Sequence, residues 1–142
     1  MQIRPFTVDD CLPAIAFWQG MAGITLNESD TPAAMAAFLQ RNPGLSQIAC
    51  VDGRIIGAVL CGHNGRAGSL HHLAVDPAWR RRGLGRQLVE TCLAALQQAG
   101  IPRCNLFVYS DNETGNRFWL EQGWDDPSSW KVLQKRLLQS TG

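Results

Sequence analysis

The sequence has no long apolar run. No stretch approaches the ~20 consecutive apolar residues that a membrane-spanning helix needs. The first residues, "MQIRPFTVDD", lack the basic segment and the apolar segment of a secretory signal. We therefore expect a cytoplasmic protein with no membrane partner.

Paired cysteines are also missing. The five cysteines are odd in number and scattered, and none forms a C-x-x-C pair. A zinc site needs clustered ligands, and a disulfide framework needs an oxidising compartment. We therefore expect no metal and no disulfide, and we interpret the cysteines as reduced thiols in the core. They are Cys11, Cys50, Cys61, Cys92 and Cys104.

Net charge is small, at +1. A domain that binds duplex nucleic acid usually carries a broad basic surface. Here the positive charge is concentrated instead in "RRRGLGR", residues 80–86. This concentration favours a local anion as the ligand, and we expect no nucleic-acid partner.

The chain shows no internal repeat, low-complexity tract or linker. With 142 residues, 45% of them apolar, it is long enough to bury a core of its own. We therefore predict one domain spanning residues 1–142.

Hydrophobic patterns and turn signals predict the order β-α-α-β-β-β-α-β-α-β, a mixed α/β architecture. Asp52-Gly53 is a type I′ hairpin signal between two strands, and Asn64-Gly65 marks the next turn. The other predicted strands are residues 3–8, 69–75, 104–110 and 130–138.

Four helices are predicted around these strands. The second begins with Thr31 as N-cap and Pro32 as first helical residue, and the fourth ends at Gly123. The third follows the arginines and carries an apolar stripe. That stripe is formed by Leu84, Leu88, Cys92 and Leu96.

The arginines lie between a strand and this third helix. Gly83 and Gly85 let the backbone approach a ligand closely, because no Cβ intervenes. The first N–H groups of a helix have no intrahelical acceptor and lie at the positive end of its dipole. A phosphate site is therefore one interpretation. A solvated helix start without function is the other, because the loop lacks the third glycine of a dinucleotide fingerprint and the Gly-Lys-Ser/Thr of a P-loop.

The stretch "VDPAWRRRGLGRQLV" closely resembles the acetyl-CoA motif of the GNAT superfamily of N-acetyltransferases, written Q/R-x-x-G-x-G/A. Residues 80–85 match that motif. Asn112, Trp119 and Gly123-Trp124 match the pattern that often follows the family's next strand. Two spaced motifs in the right order favour the phosphate interpretation, with a pyrophosphate as the anion.

The resemblance implies a strongly twisted mixed sheet of six to seven strands flanked by about four helices. In that fold the strands at 69–75 and 104–110 separate, and acetyl-CoA, the co-substrate, lies in the gap. The residues expected to bind it are Leu73, Ala74 and Val75 along the pantetheine arm, Arg80, Arg81, Arg82, Gly83, Leu84, Gly85 and Arg86 at the pyrophosphate, and Asn112 and Trp119.

Three positions depart from the family pattern. Many members use a glutamate where this chain has Ser69, and members acting on protein N-termini often use one where it has Phe107. Many relatives protonate the departing thiolate with a tyrosine where this chain has Trp119, whose indole N–H is no general acid. Positioning two reactants lowers a barrier by about 7–11 kcal/mol, whereas one general base contributes about 10²–10⁴-fold. We therefore expect activity to survive these departures.

His72, His71 and Tyr109 are the candidate catalytic residues. As neighbours on a strand, the two histidines should face opposite sides, so that only one points into the acceptor cleft. Histidine titrates near neutral pH and can relay a proton; packing against a helix is the alternative role. Tyr109 is either structural or a displaced acid.

The first two helices and their connection are expected to form the acceptor side. Glu28 and Asp30 in that connection can recognise a cationic amine or remain solvated. The leading hypothesis is an acetyl-CoA-dependent N-acetyltransferase acting on a small-molecule amine. The alternatives are a protein or peptide N-acetyltransferase and a non-catalytic acyl-CoA-binding or regulatory module. Exposed strand edges are compatible with a homodimer.

Overall fold

A computed structural model describes residues 1–138 of the chain. Nine helices and strands follow one another in the order predicted from the sequence, apart from the last strand. They are β1 (Gln2–Pro5), α1 (Cys11–Gln19), α2 (Pro32–Arg41), β2 (Gln47–Val51), β3 (Arg54–His63), β4 (Gly68–Val75), α3 (Leu84–Gln98), β5 (Cys104–Leu106) and α4 (Glu113–Glu121).

The five strands form one mixed sheet in the order β1-β2-β3-β4-β5. The first four strands are antiparallel neighbours, and β5 runs parallel to β4. The predicted hairpin between β2 and β3 is confirmed, since Asp52 (φ 48°) and Gly53 (φ 75°) both adopt the left-handed conformation of a type I′ turn.

Helix α3 covers one face of the sheet. Its predicted stripe is confirmed, because all four residues are buried against β2, β3 and β4. The helix approaches β4 closely at Gly68, where a Cβ atom would lie 2.6 Å from Cδ1 of Leu96. Burying one leucine side chain contributes about 1.5–3 kcal/mol, so the stripe accounts for much of the stability of this layer.

Helices α1 and α2 cover the opposite face. Helix α2 begins as predicted, with the Thr31 Oγ1 accepting a hydrogen bond from the Ala34 N–H at 3.1 Å and Pro32 in the first turn. Trp18 of α1 and Met35 of α2 are buried in the core of this layer. None of the helices within residues 1–138 has the length and apolar character that crossing a membrane requires.

An ion pair fixes the start of the chain to α1. Nη1 and Nη2 of Arg4 each donate a hydrogen bond to the Asp10 carboxylate at 2.8 Å, and the Thr7 N–H donates to the same group. These hydrogen bonds, with that from Arg4 the strongest, lower the pKa of Asp10. The carboxylate is nearly buried, so its partners make its charge tolerable there.

The cysteines are all free thiols in the structure. Cys11, Cys61 and Cys92 are buried as predicted, whereas Cys50 and Cys104 are only half-buried. Burial raises the pKa of the Cys104 thiol to about 12, so this thiol stays protonated at neutral pH.

The closing strand predicted at residues 130–138 is wrong. These residues form no strand, and their large apolar side chains, such as Trp130 and Leu133, are exposed. At the β5 edge of the sheet a further strand would meet only three residues, because β5 ends at Leu106 rather than at Ser110. Within residues 1–138 the sheet therefore has five strands, not six to seven.

Candidate functional site

The sheet opens between β4 and β5. The two strands pair over three residues only, ending with Leu70 opposite Leu106. Strand β4 continues to Val75, still paired with β3 but without β5 on its other side. Among residues 1–138 no strand pairs with this other edge of β4 beyond Leu70, and the separation expected from the family resemblance is present.

The arginine-rich loop lies where β4 ends. Arg81 (φ 63°) and Gly83 (φ 78°) both adopt left-handed conformations, and α3 begins at Leu84. None of the N–H groups of residues 81–86 has a hydrogen-bond acceptor within residues 1–138. Consecutive unpaired N–H groups at a helix start form an anion-binding concavity. The predicted phosphate site therefore has the backbone that it needs.

The arginine side chains hold this loop in place. Arg80 Nε donates to the Val75 carbonyl at 3.0 Å, and the Arg82 guanidinium stacks over the ring of Trp79 at 4.9 Å. Arg86 forms an ion pair with Glu90 of α3 at 2.8 Å, but both side chains are exposed, so this pair stabilises the helix little. The loop thus combines positive charge with free N–H groups.

The two histidines of β4 lie on the same side of the sheet, so the prediction that they face opposite sides is wrong. The register of β4 against β3 shifts beside them, and His72 has a φ of 58°. This bulge turns His72 toward α1, where its ring lies 5.2 Å from that of Trp18. The His71 ring packs edge-on against Phe38 of α2 at 6.0 Å.

Each histidine has one polar partner. The Nε2 atom of His71 lies 3.0 Å from Oγ of Ser69, and Nε2 of His72 lies 2.9 Å from Oδ1 of Asp30. Burial, together with the neighbouring His72, lowers the pKa of His71, although Asp30 partly opposes this effect. His71 is therefore a neutral packing residue at neutral pH.

The remaining candidate positions, Tyr109, Phe107 and Trp119, lie outside the two hydrogen-bonded pairs His71–Ser69 and His72–Asp30. Tyr109 and Phe107 follow β5 and are exposed, whereas the two histidine rings pack against Trp18 and Phe38. Trp119 of α4 packs between Phe118 and Trp124, with ring centroids 4.9 and 5.2 Å away. The structure thus places Trp119 in the layer that contains α3.

Asn112 is the N-cap of α4. Its Oδ1 accepts a hydrogen bond from the Gly115 N–H at 3.0 Å, so its own helix uses the oxygen and the amide nitrogen remains as a donor. That nitrogen lies 3.0 Å from the position of a Cβ atom at Gly23. The connection between α1 and α2 therefore reaches the start of α4.

The α1–α2 connection, residues 20–31, is the segment that the sequence analysis expected on the acceptor side, but its contacts with β4 and the arginine loop were not foreseen. It touches the arginine loop through Met21, whose sulfur lies 3.9 Å from Nη2 of Arg80, and it touches β4 through Asp30. Asp30 is buried, so the expectation that it recognises an amine directly or remains solvated is wrong. No local pattern could indicate a partner 42 positions away along the chain.

A mixed sheet with two separated parallel strands and an anion-binding loop after the first of them defines a class of acyl-transferring domains. The family model for the Acetyltransferase (GNAT) family matches residues 12–124 of the chain. Acetyltransferase SG1711 from Sodalis glossinidius is 28% identical over 139 residues, which cover 98% of this chain and 97% of that protein.

Two solved structures show the same fold at low sequence identity. The aminoglycoside N-acetyltransferase AAC(6')-Iy in complex with CoA has a TM-score of 0.75 and 17% identity, covering 95% of this chain and 99% of that one. The ribosomal-protein-S18-alanine N-acetyltransferase from Escherichia coli has a TM-score of 0.71 and 21% identity, covering 86% and 76% respectively. The chain belongs to the GNAT family of acetyltransferases, as its residues 80–85 predicted.

Proposed function

We propose that this acetyltransferase moves an acetyl group from acetyl-CoA to the amine of a small molecule. The observation that carries the proposal is the run of unpartnered N–H groups at residues 81–86, located where β4 separates from β5. A pyrophosphate is an anion of suitable charge for such a run, and the neighbouring arginines add positive charge.

The residues present fit acetyl-CoA in a second respect. Beyond Leu70 the free edge of β4 can pair with an amide-containing arm, which assigns Leu73, Ala74 and Val75 to the pantetheine. Asn112 keeps an amide donor for the same ligand, and Trp119 remains a prediction. When bound, acetyl-CoA supplies the activated acetyl thioester, and the residues of this chain position that thioester.

The α1–α2 connection favours a small acceptor. It contacts the arginine loop on one side of the opening and Asn112 on the other. A segment that bridges the opening narrows the approach to it, which suits a small amine better than an extended polypeptide. Phe107, exposed at the position of the peptide-acetylating glutamate, agrees with this choice.

We assign His72 as the base that removes a proton from the acceptor amine. An amine with a pKa near ~10.4 is mostly protonated at pH 7, and neutralising it costs about 4–5 kcal/mol. A histidine beside the opening can take that proton. His71 is less suited, because its Nε2 lies against Oγ of Ser69 and partial burial lowers its pKa. Tyr109 is not needed if water protonates the departing thiolate.

The first experiment is a calorimetric titration of the CoA-free protein with acetyl-CoA at two salt concentrations. We expect saturable binding near one site per chain. CoA release is then measured with a polyamine, an aminoglycoside and a peptide with an N-terminal alanine. Turnover of the small amines supports the proposal, and turnover of the peptide alone supports a protein N-acetyltransferase. Binding without turnover indicates a non-catalytic module, and absence of binding by folded protein contradicts the proposal.

A further inference from the structure

His72 and Asp30 form a nearly buried pair beside the opening between β4 and β5. The exposed fraction of the side chain is 18% for His72 and 5% for Asp30. A buried carboxylate is costly unless its lone pairs are satisfied. Here Oδ1 of Asp30 faces Nε2 of His72 at 2.9 Å, and Oδ2 accepts a hydrogen bond from the Asn27 N–H at 2.9 Å.

The segment that carries Asp30 is rigidly built. A short 3-10 helix spans Glu28–Asp30, and Oδ1 of Asn27 accepts a hydrogen bond from the Ser29 N–H at 2.8 Å. The Asp30 carboxylate in turn accepts a hydrogen bond from the Asn27 N–H, which completes a capping box. The carboxylate is thereby held from its own segment, independently of the histidine.

The carboxylate determines which nitrogen of His72 carries the proton. An ionised carboxylate only accepts hydrogen bonds, so Nε2 of His72 must donate. In the neutral ring the lone pair is then on Nδ1. Within residues 1–138, Trp18 Nε1 is the buried side-chain polar atom that lacks a partner. Nδ1 of His72 has no partner there either, and it is therefore open to solvent.

The orientation of the ring is fixed by two further features. The left-handed conformation of His72 is unfavourable for a residue with a Cβ atom, and it persists because the surrounding structure enforces it. The Trp18 ring lies against the imidazole at an angle of 59°. The titratable groups that the structure places beside His72 are Asp30, at its Nε2, and its chain neighbour His71, while α1 places the uncharged ring of Trp18 against it.

We propose that Asp30 is a positioning residue for acetyl transfer: it holds His72 as the Nε2–H tautomer with Nδ1 directed at the acceptor. The inference rests on the function proposed above. An ammonium acceptor gives one proton to Nδ1 and becomes a neutral amine. Its nitrogen bonds to the acetyl carbon, the C–S bond breaks with its electron pair on sulfur, and the second N–H proton reaches the thiolate through solvent. The products are the amide and CoA, and His72 returns its proton to solvent.

The test variant is Asp30→Asn, with Asp9→Asn as the matched control. Asp9 is exposed, and its substitution makes the same change of charge away from His72. An asparagine amide at position 30 can donate to Nε2, which moves the proton to Nδ1 and removes the base. We expect kcat to fall at least tenfold in Asp30→Asn, with KM and the calorimetric affinity for acetyl-CoA changed less than threefold. Asp9→Asn should match the wild type.

A second readout does not depend on turnover or on the variant. Long-range ¹H–¹⁵N NMR of the imidazole nitrogens assigns the tautomer of His72 in the wild-type protein, for which we expect Nε2–H. An Nδ1–H tautomer, or an unchanged kcat in Asp30→Asn, overturns the inference. If the wild type binds acetyl-CoA but acetylates no amine, the proposed function fails instead, and the NMR result separates that failure from an incorrect tautomer.

Discussion

Gly83 provides the most direct test of the pyrophosphate site. The change is Gly83→Ala, which adds a single methyl group to the loop. A Cβ atom at Gly83 would meet no heavy atom within 4 Å, so the methyl group creates no clash in the free protein. It stands in the open space where we propose that the phosphates lie.

The expected cost to stability is small and can be worked out from the backbone. Gly83 has a φ of 78°, a conformation that costs an L-residue about 1–2 kcal/mol. Alanine recovers about 0.4–1 kcal/mol by restricting the unfolded chain. The net loss is therefore about 1 kcal/mol, or roughly 3 °C in Tm for a chain of this length. Gly65→Ala is the matched control, since Gly65 (φ 90°) also faces open space but precedes β4.

The expected cost to binding is larger. A hydrogen bond to a charged group contributes about 1.5–3 kcal/mol, so displacing the phosphates from one such bond weakens binding by about 10- to 150-fold. The assay is calorimetric titration with acetyl-CoA, beside a thermal melt of each variant. Equal affinities in Gly83→Ala and Gly65→Ala would refute the assignment of this loop to the pyrophosphate. A loss of acetyl-CoA affinity in Gly83→Ala alone, with the two variants equal in Tm, cannot be attributed to unfolding.

Three further predictions concern stability. Asp10→Asn removes the charge that pairs with Arg4. It should lower the free energy of unfolding by only about 1–2 kcal/mol, because Arg4 is partly exposed. Urea unfolding measures this loss, and a loss no larger than that of Asp9→Asn would contradict the prediction. Leu88→Ala leaves a cavity under α3 and should cost about 2–5 kcal/mol in the same assay; a loss below 1 kcal/mol would show that the site collapses or was never tightly packed. Burial, with a smaller contribution from the neighbouring His72, lowers the pKa of His71. As the pH falls, the unfolded chain therefore binds this proton first; the associated stability is complete above the ordinary pKa of ~6.5 and is lost as the pH falls through the folded-state pKa. The Tm should therefore fall between pH 7.5 and pH 5.5, and by less in His71→Asn; an equal fall in both proteins would rule out His71 as the cause.

Most of the fold could be predicted from the sequence because turns and amphipathic helices are encoded by residues close together in the chain. The Asp52-Gly53 turn and the α3 stripe depend on residues a few positions apart, and both are confirmed. The predicted strand at residues 130–138 failed because pairing depends on the length of the neighbouring strand. β5 ends at Leu106, and the sequence "CNLFVYS" does not show where pairing with β4 stops.

The part of the candidate site assigned to acetyl-CoA could be proposed from the sequence for a similar reason. Its ligand contacts are expected from main-chain groups, and the glycines that free those groups lie within one loop. The contact between His72 and Asp30 was not predictable, because it joins β4 to the α1–α2 connection across 42 positions of the chain. Strand alternation placed the two histidines on opposite faces, and the bulge reverses that alternation for His72.

The bulge also links the two halves of the site. It falls just beyond Leu70, where β4 loses β5 as a neighbour. A strand bonded on both sides resists such a distortion, because each shifted residue breaks ladder hydrogen bonds on two edges; with one free edge the cost falls on one side only. The separation that leaves the edge proposed for acetyl-CoA therefore also allows His72 to turn toward Asp30. If this coupling holds, an arm bound along β4 stiffens the bulge, and amide exchange at His72 and Leu73 should slow on addition of acetyl-CoA. Unchanged amide exchange at saturating acetyl-CoA would show that the conformation at His72 is not coupled to binding of the co-substrate.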